Sequence, residues 1–196
     1  VAKDFSNDLF GIGAQTLVED AEGGVEYRPG FVDLATAERW FLDLREHARW
    51  QAQRRPMYDR VVDVPRLTAA YRLDEAGLPG AITEAAALLR ESLGIDYNTV
   101  GLNFYRDERD SVAPHGDKRH LITPGFPVAL LSLGAARRMV IRAKAAPRTV
   151  QRIELEPGSL LLMSHAAQLT HEHGVPKQRA PVGERISLAF RMRPPR

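Results

Sequence analysis

Val100-Gly101-Leu102-Asn103-Phe104-Tyr105 and Arg185-Ile186-Ser187-Leu188-Ala189-Phe190-Arg191 both alternate with a period of two, the pattern of β-strands. In the first, Val100, Leu102 and Phe104 share one face, and Asn103 and Tyr105 share the other. In the second, Ile186, Leu188 and Phe190 oppose Arg185, Ser187 and Arg191. For an isolated strand the simplest reading is a sandwich strand whose polar face meets water. With helices behind the sheet, the apolar faces pack outward against those helices and the polar faces line a barrel. An interior holding two arginines, an asparagine and a tyrosine suits a small dianion. A guanidinium forks onto carboxylates bidentately, and a buried arginine without a partner is costly.

Working outward, two helices precede the first stretch. Asp33 can cap a helix running to about Trp50, with Leu34, Ala37, Phe41, Leu44 and Ala48 at helical spacing. Ala81 to Leu93 forms the second, with Ile82, Ala86, Leu89 and Leu93 on one side and Gly94 as its stop. Residues 1–30 read as a polar arm with some strand, and Arg54 to Gly80 as a loop-rich surface segment with a short strand at Arg66–Tyr71. After Gly94 strands are expected at 99–106, 128–133, 138–142, 149–155, 159–163, 171–175 and 185–192, separated by Gly and Pro. Two helices followed by many short strands predict an α+β fold with a double-stranded β-helix, or jelly-roll, core. One domain over 1–196 is expected, with 1–95 supplying the arm, the helices and a substrate lid, and 96–196 the core.

Composition bounds the chemistry. With 44% hydrophobic and 27% charged residues over 196 positions, the chain reads as one ordinary globular unit. The absence of cysteine excludes disulfides, zinc–thiolate sites and cysteine nucleophiles. A net charge of +2 permits an anionic partner without requiring one. No apolar run is long enough for a membrane span, Val1 to Leu9 lacks the apolar region of a signal peptide, and a cytoplasmic location is expected.

His115-Gly116-Asp117 places an imidazole and a carboxylate two residues apart, on one side of extended backbone. A second histidine downstream would complete a two-histidine, one-carboxylate set that leaves iron positions open for a co-substrate and dioxygen. The pair alone is common; its company of an Asn-x-Tyr strand before it and a two-arginine strand after it gives it weight. His165, His171 and His173 all lie downstream, and periodicity does not choose between the last two, which share a side. His120 lies too near the first pair in sequence to cap the opposite side of a barrel. His47 falls on the first helix as a surface residue.

The stretches LNFYRDERDSVAPHGD, PVALLSLGAARRMVIRAK, GSLLLMSHAAQLTHEHGVPK and RISLAFR resemble, in order and spacing, the AlkB family of nucleic-acid dealkylating dioxygenases, in particular its DNA and RNA repair branch. The resemblance implies Fe(II), 2-oxoglutarate and O2 as cofactors, with His115, Asp117 and His173 as iron ligands and catalytic residues. It favours His173 over His171 because the family's distal histidine opens a stretch like His173-Gly174-Val175-Pro176. It implies that Asn103, Tyr105 and Arg185 bind the distal carboxylate of 2-oxoglutarate, with Arg191 near its metal-chelating end; Ser187 is a further co-substrate-binding candidate, since its hydroxyl can donate one hydrogen bond. The implied reaction is oxidative dealkylation of alkylated bases in DNA or RNA, releasing aldehyde, succinate and CO2.

The sequence also departs from the family. Ser187 and Ala189 stand where an asparagine and a threonine are common. Arg119 replaces an acidic residue that helps read the base, and the lid segment is short. For substrate, Tyr58 and Tyr71 are candidate stacking residues, Arg119 flanks the base, and Arg137 belongs to a basic hairpin with Arg138, Arg142, Lys144, Arg148 and Arg152 that could follow a phosphate backbone. A solvated charged face is the equal alternative for that hairpin. The expected partner is alkylated nucleic acid bound by a monomer. The other readings are a 2-oxoglutarate-dependent hydroxylase or demethylase of a protein or small molecule, and a non-catalytic cupin-like module binding metal or nucleic acid.

Overall fold

The computed structural model describes residues 13–57, 60–118 and 121–195. Among the described residues, twelve strands and three helices follow in the order β1 (Gln15–Val18), β2 (Val25–Arg28), α1 (Leu34–His47), β3 (Gln51–Met57), β4 (Arg60–Arg72), α2 (Gly80–Leu93), β5 (Thr99–Tyr105), β6 (Val112–His115), β7 (Val128–Gly134), β8 (Arg137–Ala143), β9 (Val150–Leu155), β10 (Leu160–Met163), α3 (His165–Thr170), β11 (His171–Val175) and β12 (Arg185–Arg191). An eight-stranded sheet runs β1-β2-β10-β7-β12-β5-β4-β3, and a four-stranded sheet runs β6-β11-β8-β9. Every pairing is antiparallel. Facing sheets with helices behind the larger one give the expected jelly roll.

Two cores follow from this layering. Behind the large sheet, Trp40 and Leu44 of α1 and Ile82 and Leu89 of α2 pack on Leu102, Leu131, Leu188 and Phe190. Between the sheets, Tyr105, Leu130, Met139, Ile141, Met163 and Val175 form the second. Central β7 serves both, with Leu131 and Leu133 facing the helices and Leu130 the interior, so it reads as an unbroken apolar run. Asp33 caps α1 by accepting from Thr36 N at 3.0 Å, and Gly94 ends α2 in the left-handed conformation at φ 70°. Leu34, read as part of the buried stripe of α1, is exposed, and Trp40 takes the inward position instead.

Two expectations need correcting. The 54–80 segment is not loop-rich: β3 and β4 form a long hairpin that extends the large sheet, pairing with β5 from Leu67↔Phe104 to Arg72↔Thr99. Its prolines masked it. Pro56 sits on the outermost strand, where proline is tolerated, and Pro65 faces the register shift between Ala52 and Arg54. Nor does the core begin at residue 96, because β1 to β4 are half of the large sheet. No helix among the described residues is long and apolar enough to cross a membrane.

Candidate metal centre and anion pocket

The pocket lies between the sheets, and strand register builds it. β12 pairs with β5 so that Arg185 stands opposite Tyr105 and Ser187 opposite Asn103. Because facing residues point to the same side, all four converge on the interior. Arg185 is fully buried. Its Nε donates to Ser132 Oγ at 2.9 Å, its guanidinium lies 5.1 Å over the Tyr105 ring, and Nη1 and Nη2 have no hydrogen-bond partner. Burial pushes its pKa down. Two orphaned donors on a buried cation form a cradle for a carboxylate, because leaving such donors unpaired costs the full desolvation penalty. Leu130, Met139, Met163 and Val175 supply apolar walls above it.

At the mouth, β6 pairs with β11 so that His115 stands directly opposite His173. Their rings lie 4.7 Å apart at 49°. His115 Nδ1 is 2.9 Å from Ala113 O. A carbonyl only accepts, so Nδ1 is the donor of this bond and Nε2 is the ring nitrogen left to face a metal. His173 is buried, and that burial, with His115 beside it, pushes its pKa down to about 4, so the ring is neutral at physiological pH. Neutral imidazoles are the ligand form. Asp117 accepts from Arg191 Nε at 3.0 Å and Nη2 at 2.9 Å. Burial alone would raise its pKa; Arg191 and the two histidines outweigh it and hold the carboxyl below the usual range. With both Asp117 oxygens turned onto Arg191, no three histidine or acidic groups among the described residues stand at metal-holding distance. The donor types nevertheless suit Fe(II), and the orphaned Arg185 nitrogens suit a dicarboxylate.

The chain matches the family described as the 2OG-Fe(II) oxygenase superfamily over residues 24–191. It belongs to that superfamily. Among curated proteins, it is 33% identical over 183 residues to alpha-ketoglutarate-dependent dioxygenase alkB homolog 3 of Rattus norvegicus, covering 83% of this chain and 62% of the relative. The Homo sapiens homolog 3 is 31% identical, with 83% and 64% covered. The DNA oxidative demethylase ALKBH2 of Homo sapiens is 34% identical over 105 residues, with 50% and 40% covered. The chain spans less than two thirds of the length of these curated relatives. In fold it is similar to the structure of OsALKBH1 (TM-score 0.61, 15% identity, 86% of this chain and 98% of that one) and to a Pseudomonas putida prolyl-4-hydroxylase (0.56, 16%, 87% and 93%).

The pocket contains a residue that sequence reasoning missed. Arg66 of β4 lines it, donating from Nε to Asn103 Oδ1 at 2.7 Å and from Nη1 to Ser111 O at 3.2 Å. The signal was a charge at the head of the Arg66–Tyr71 strand, legible only once that strand is known to lie beside β5. His171 lies outside this pocket, with Nδ1 2.9 Å from Thr170 Oγ1, and His47 pairs with Asp43 on the surface of α1. His165 begins α3.

Two substrate expectations are overturned. Tyr71 is buried in the helix-side core, its hydroxyl accepting from Arg49 N at 2.7 Å, so it cannot stack on a base. Arg137 is fully buried and donates to the backbone oxygens of Asp107 (2.9 Å), Asp110 (2.7 Å) and Pro176 (3.1 Å). It clamps two loops and cannot reach a phosphate. Its hairpin neighbours are engaged too: Arg138 pairs with Glu154, Arg142 with Glu172, and Lys144 donates to Gln168 O. Tyr58 and Arg119, with His120, fall outside the described residues.

Proposed function

We propose that this oxygenase removes alkyl groups oxidatively from alkylated bases in DNA or RNA. In this reading His115, Asp117 and His173 hold Fe(II), and Arg185, Asn103, Tyr105 and Ser187 hold the distal carboxylate of 2-oxoglutarate. The observation that carries it is the buried Arg185 guanidinium with two unpaired nitrogens, placed behind the facing His115 and His173 rings. The names of the curated relatives support a nucleic-acid substrate.

Each residue has a task. Because Arg66 occupies Asn103 Oδ1, the Asn103 amide NH2 is left to donate to a carboxylate. Ser187 supplies one further hydroxyl donor. Arg191 keeps Asp117 ionised, and to hold the metal one Asp117 oxygen would turn away from Arg191. The Leu130, Met139 and Val175 side chains exclude water from around the co-substrate carbons. When bound, the metal and co-substrate oxidise the N-alkyl carbon with loss of CO2, one oxygen atom of O2 entering succinate and the other the released aldehyde. The chain is read as a monomer acting in the cytoplasm.

The test supplies Fe(II), 2-oxoglutarate and N-methylated single- and double-stranded oligonucleotides, and follows succinate, formaldehyde and oligonucleotide mass. Methyl loss coupled to succinate is expected. Normal succinate formation with every oligonucleotide unchanged would move the substrate to a protein or small molecule. One observation favours that second reading: the cleft outside the mouth, floored by Val64, Pro65, Val112 and Pro114, has no phenyl, phenol or indole ring among its described lining residues. Absence of iron-dependent succinate altogether would leave a binding module.

A further inference from the structure

β6 ends at His115, so Gly116 and Asp117 lie beyond the strand ladder that fixes their neighbour. The Asp117 backbone N–H donates instead to a side chain, Gln168 Oε1 of α3, at 3.0 Å. Gln168 is 2% exposed. Its own carbonyl accepts from Lys144 Nζ at 2.7 Å. Gly116 passes directly against this group: a Cβ there would stand 2.9 Å from Gln168 O and 3.2 Å from Lys144 Nζ. The contact therefore requires glycine, and it sets how close the loop can come to the helix.

The helix carrying this acceptor is itself tied down. Ser164 caps it by accepting from Ala167 N at 2.8 Å, and Ser164 Oγ donates to Asp20 Oδ2 at 2.6 Å. Glu22 accepts from Ala166 N at 2.9 Å. The β1–β2 turn, which includes Asp20 and Glu22, thus fastens α3, and α3 in turn fastens Asp117. This part-buried N–H, deprived of its acceptor, must find another or remain unpaired. The first outcome turns the backbone from which the Asp117 carboxylate projects, and the second leaves that backbone without the bond that fixes it.

We infer that Gln168 is a positioning residue, holding the Asp117 carboxylate where it can join His115 and His173 around one cation. The inference rests on the metal-site reading above. It is tested by titrating the metal-free full chain with Co(II), following the visible d–d absorption, alongside the thermal midpoint of the metal-free protein. Gln168→Met keeps length and removes the acceptor; Co(II) affinity should fall roughly 10- to 100-fold, the usual effect of removing a group that orients a metal ligand. Gln168→Glu retains an acceptor oxygen and should stay near the wild-type affinity. If Gln168→Met does not fold, Gln168→Asn, one methylene too short to reach, carries the same expectation. Wild-type Co(II) affinity in the Met or Asn variant overturns the inference, as does equal weakening in Gln168→Glu. Failure of the wild-type chain to take up Co(II) overturns the metal-site reading itself, and this inference with it.

Discussion

The two faces of β5 and β12 are built to opposite ends. Toward the helices, Leu102, Ile186, Leu188 and Phe190 fill a dry core beneath α1 and α2. Toward the small sheet, the same strands present Asn103, Tyr105, Arg185, Ser187 and Arg191 to the pocket. Apolar packing on one face stabilises the fold, since burying each large aliphatic side chain contributes about 1.5–3 kcal/mol. The other face carries a desolvated guanidinium with two unpaired nitrogens, an arrangement that costs stability until an anion arrives. Stability and binding are thus divided across the thickness of one sheet.

The comparison can be broken most severely at the mouth. His173→Ala removes one of the two facing imidazoles, and iron-dependent succinate formation should fall to background, whereas His171→Ala, whose ring lies beside Thr170, should only reduce it. Equal loss from both would put the ligand choice in doubt. Next, Leu188→Ala should lower the thermal midpoint strongly, since truncating a fully buried leucine costs roughly 2–5 kcal/mol. On the opposite face Arg185→Met should do the reverse: thermal stability held or raised, with the KM for 2-oxoglutarate up by about 30-fold or more. A Met variant that unfolds while binding co-substrate normally would erase the distinction between the faces.

The smallest effect belongs to the helix layer's exposed rim. Glu84 of α2 accepts from Arg39 and Trp40 of α1, and these bonds hold its pKa at about 2 against 4.5 ordinarily. A carboxylate with a lowered folded-state pKa stabilises fully above its unfolded value, and the contribution is lost as pH falls from 4.5 toward 2. Half-exposed pairs of this kind contribute roughly 0.2–1 kcal/mol. Urea midpoints should therefore show Glu84→Gln less stable than wild type at pH 7, with the gap closing as pH falls through that window. A pH-independent gap would place the stabilisation in something other than this ion pair.

Legibility followed the range of the interaction. The strand alternation in β5 and β12, the Asp33 cap and the Gly94 stop are written in neighbouring residues, and each was readable before any partner was known. The β3–β4 hairpin was not, because Pro56 and Pro65 look disruptive until one is seen on an edge and the other at a register shift. α3 was missed because six residues beneath a serine cap carry too little periodicity. Arg137 illustrates the opposite error: an arginine in a basic run looks exposed, and only the Asp107–Asp110 and Pro176 backbones folding over it make it a buried clamp.

What the sequence by itself determined is which residues share a face: a strand's period of two is set by the backbone, and the choice of apolar or polar side chain at each position is local. It also presented the histidines, the aspartate and the arginines whose spacing resembles an AlkB oxygenase. Tertiary structure alone decided that His173 meets His115, that Arg191 grips Asp117, that Arg66 reaches Asn103 and that Gln168 holds the Asp117 backbone. Those contacts depend on strand register and on one sheet facing another, and both are settled only when residues far apart in the chain pack together.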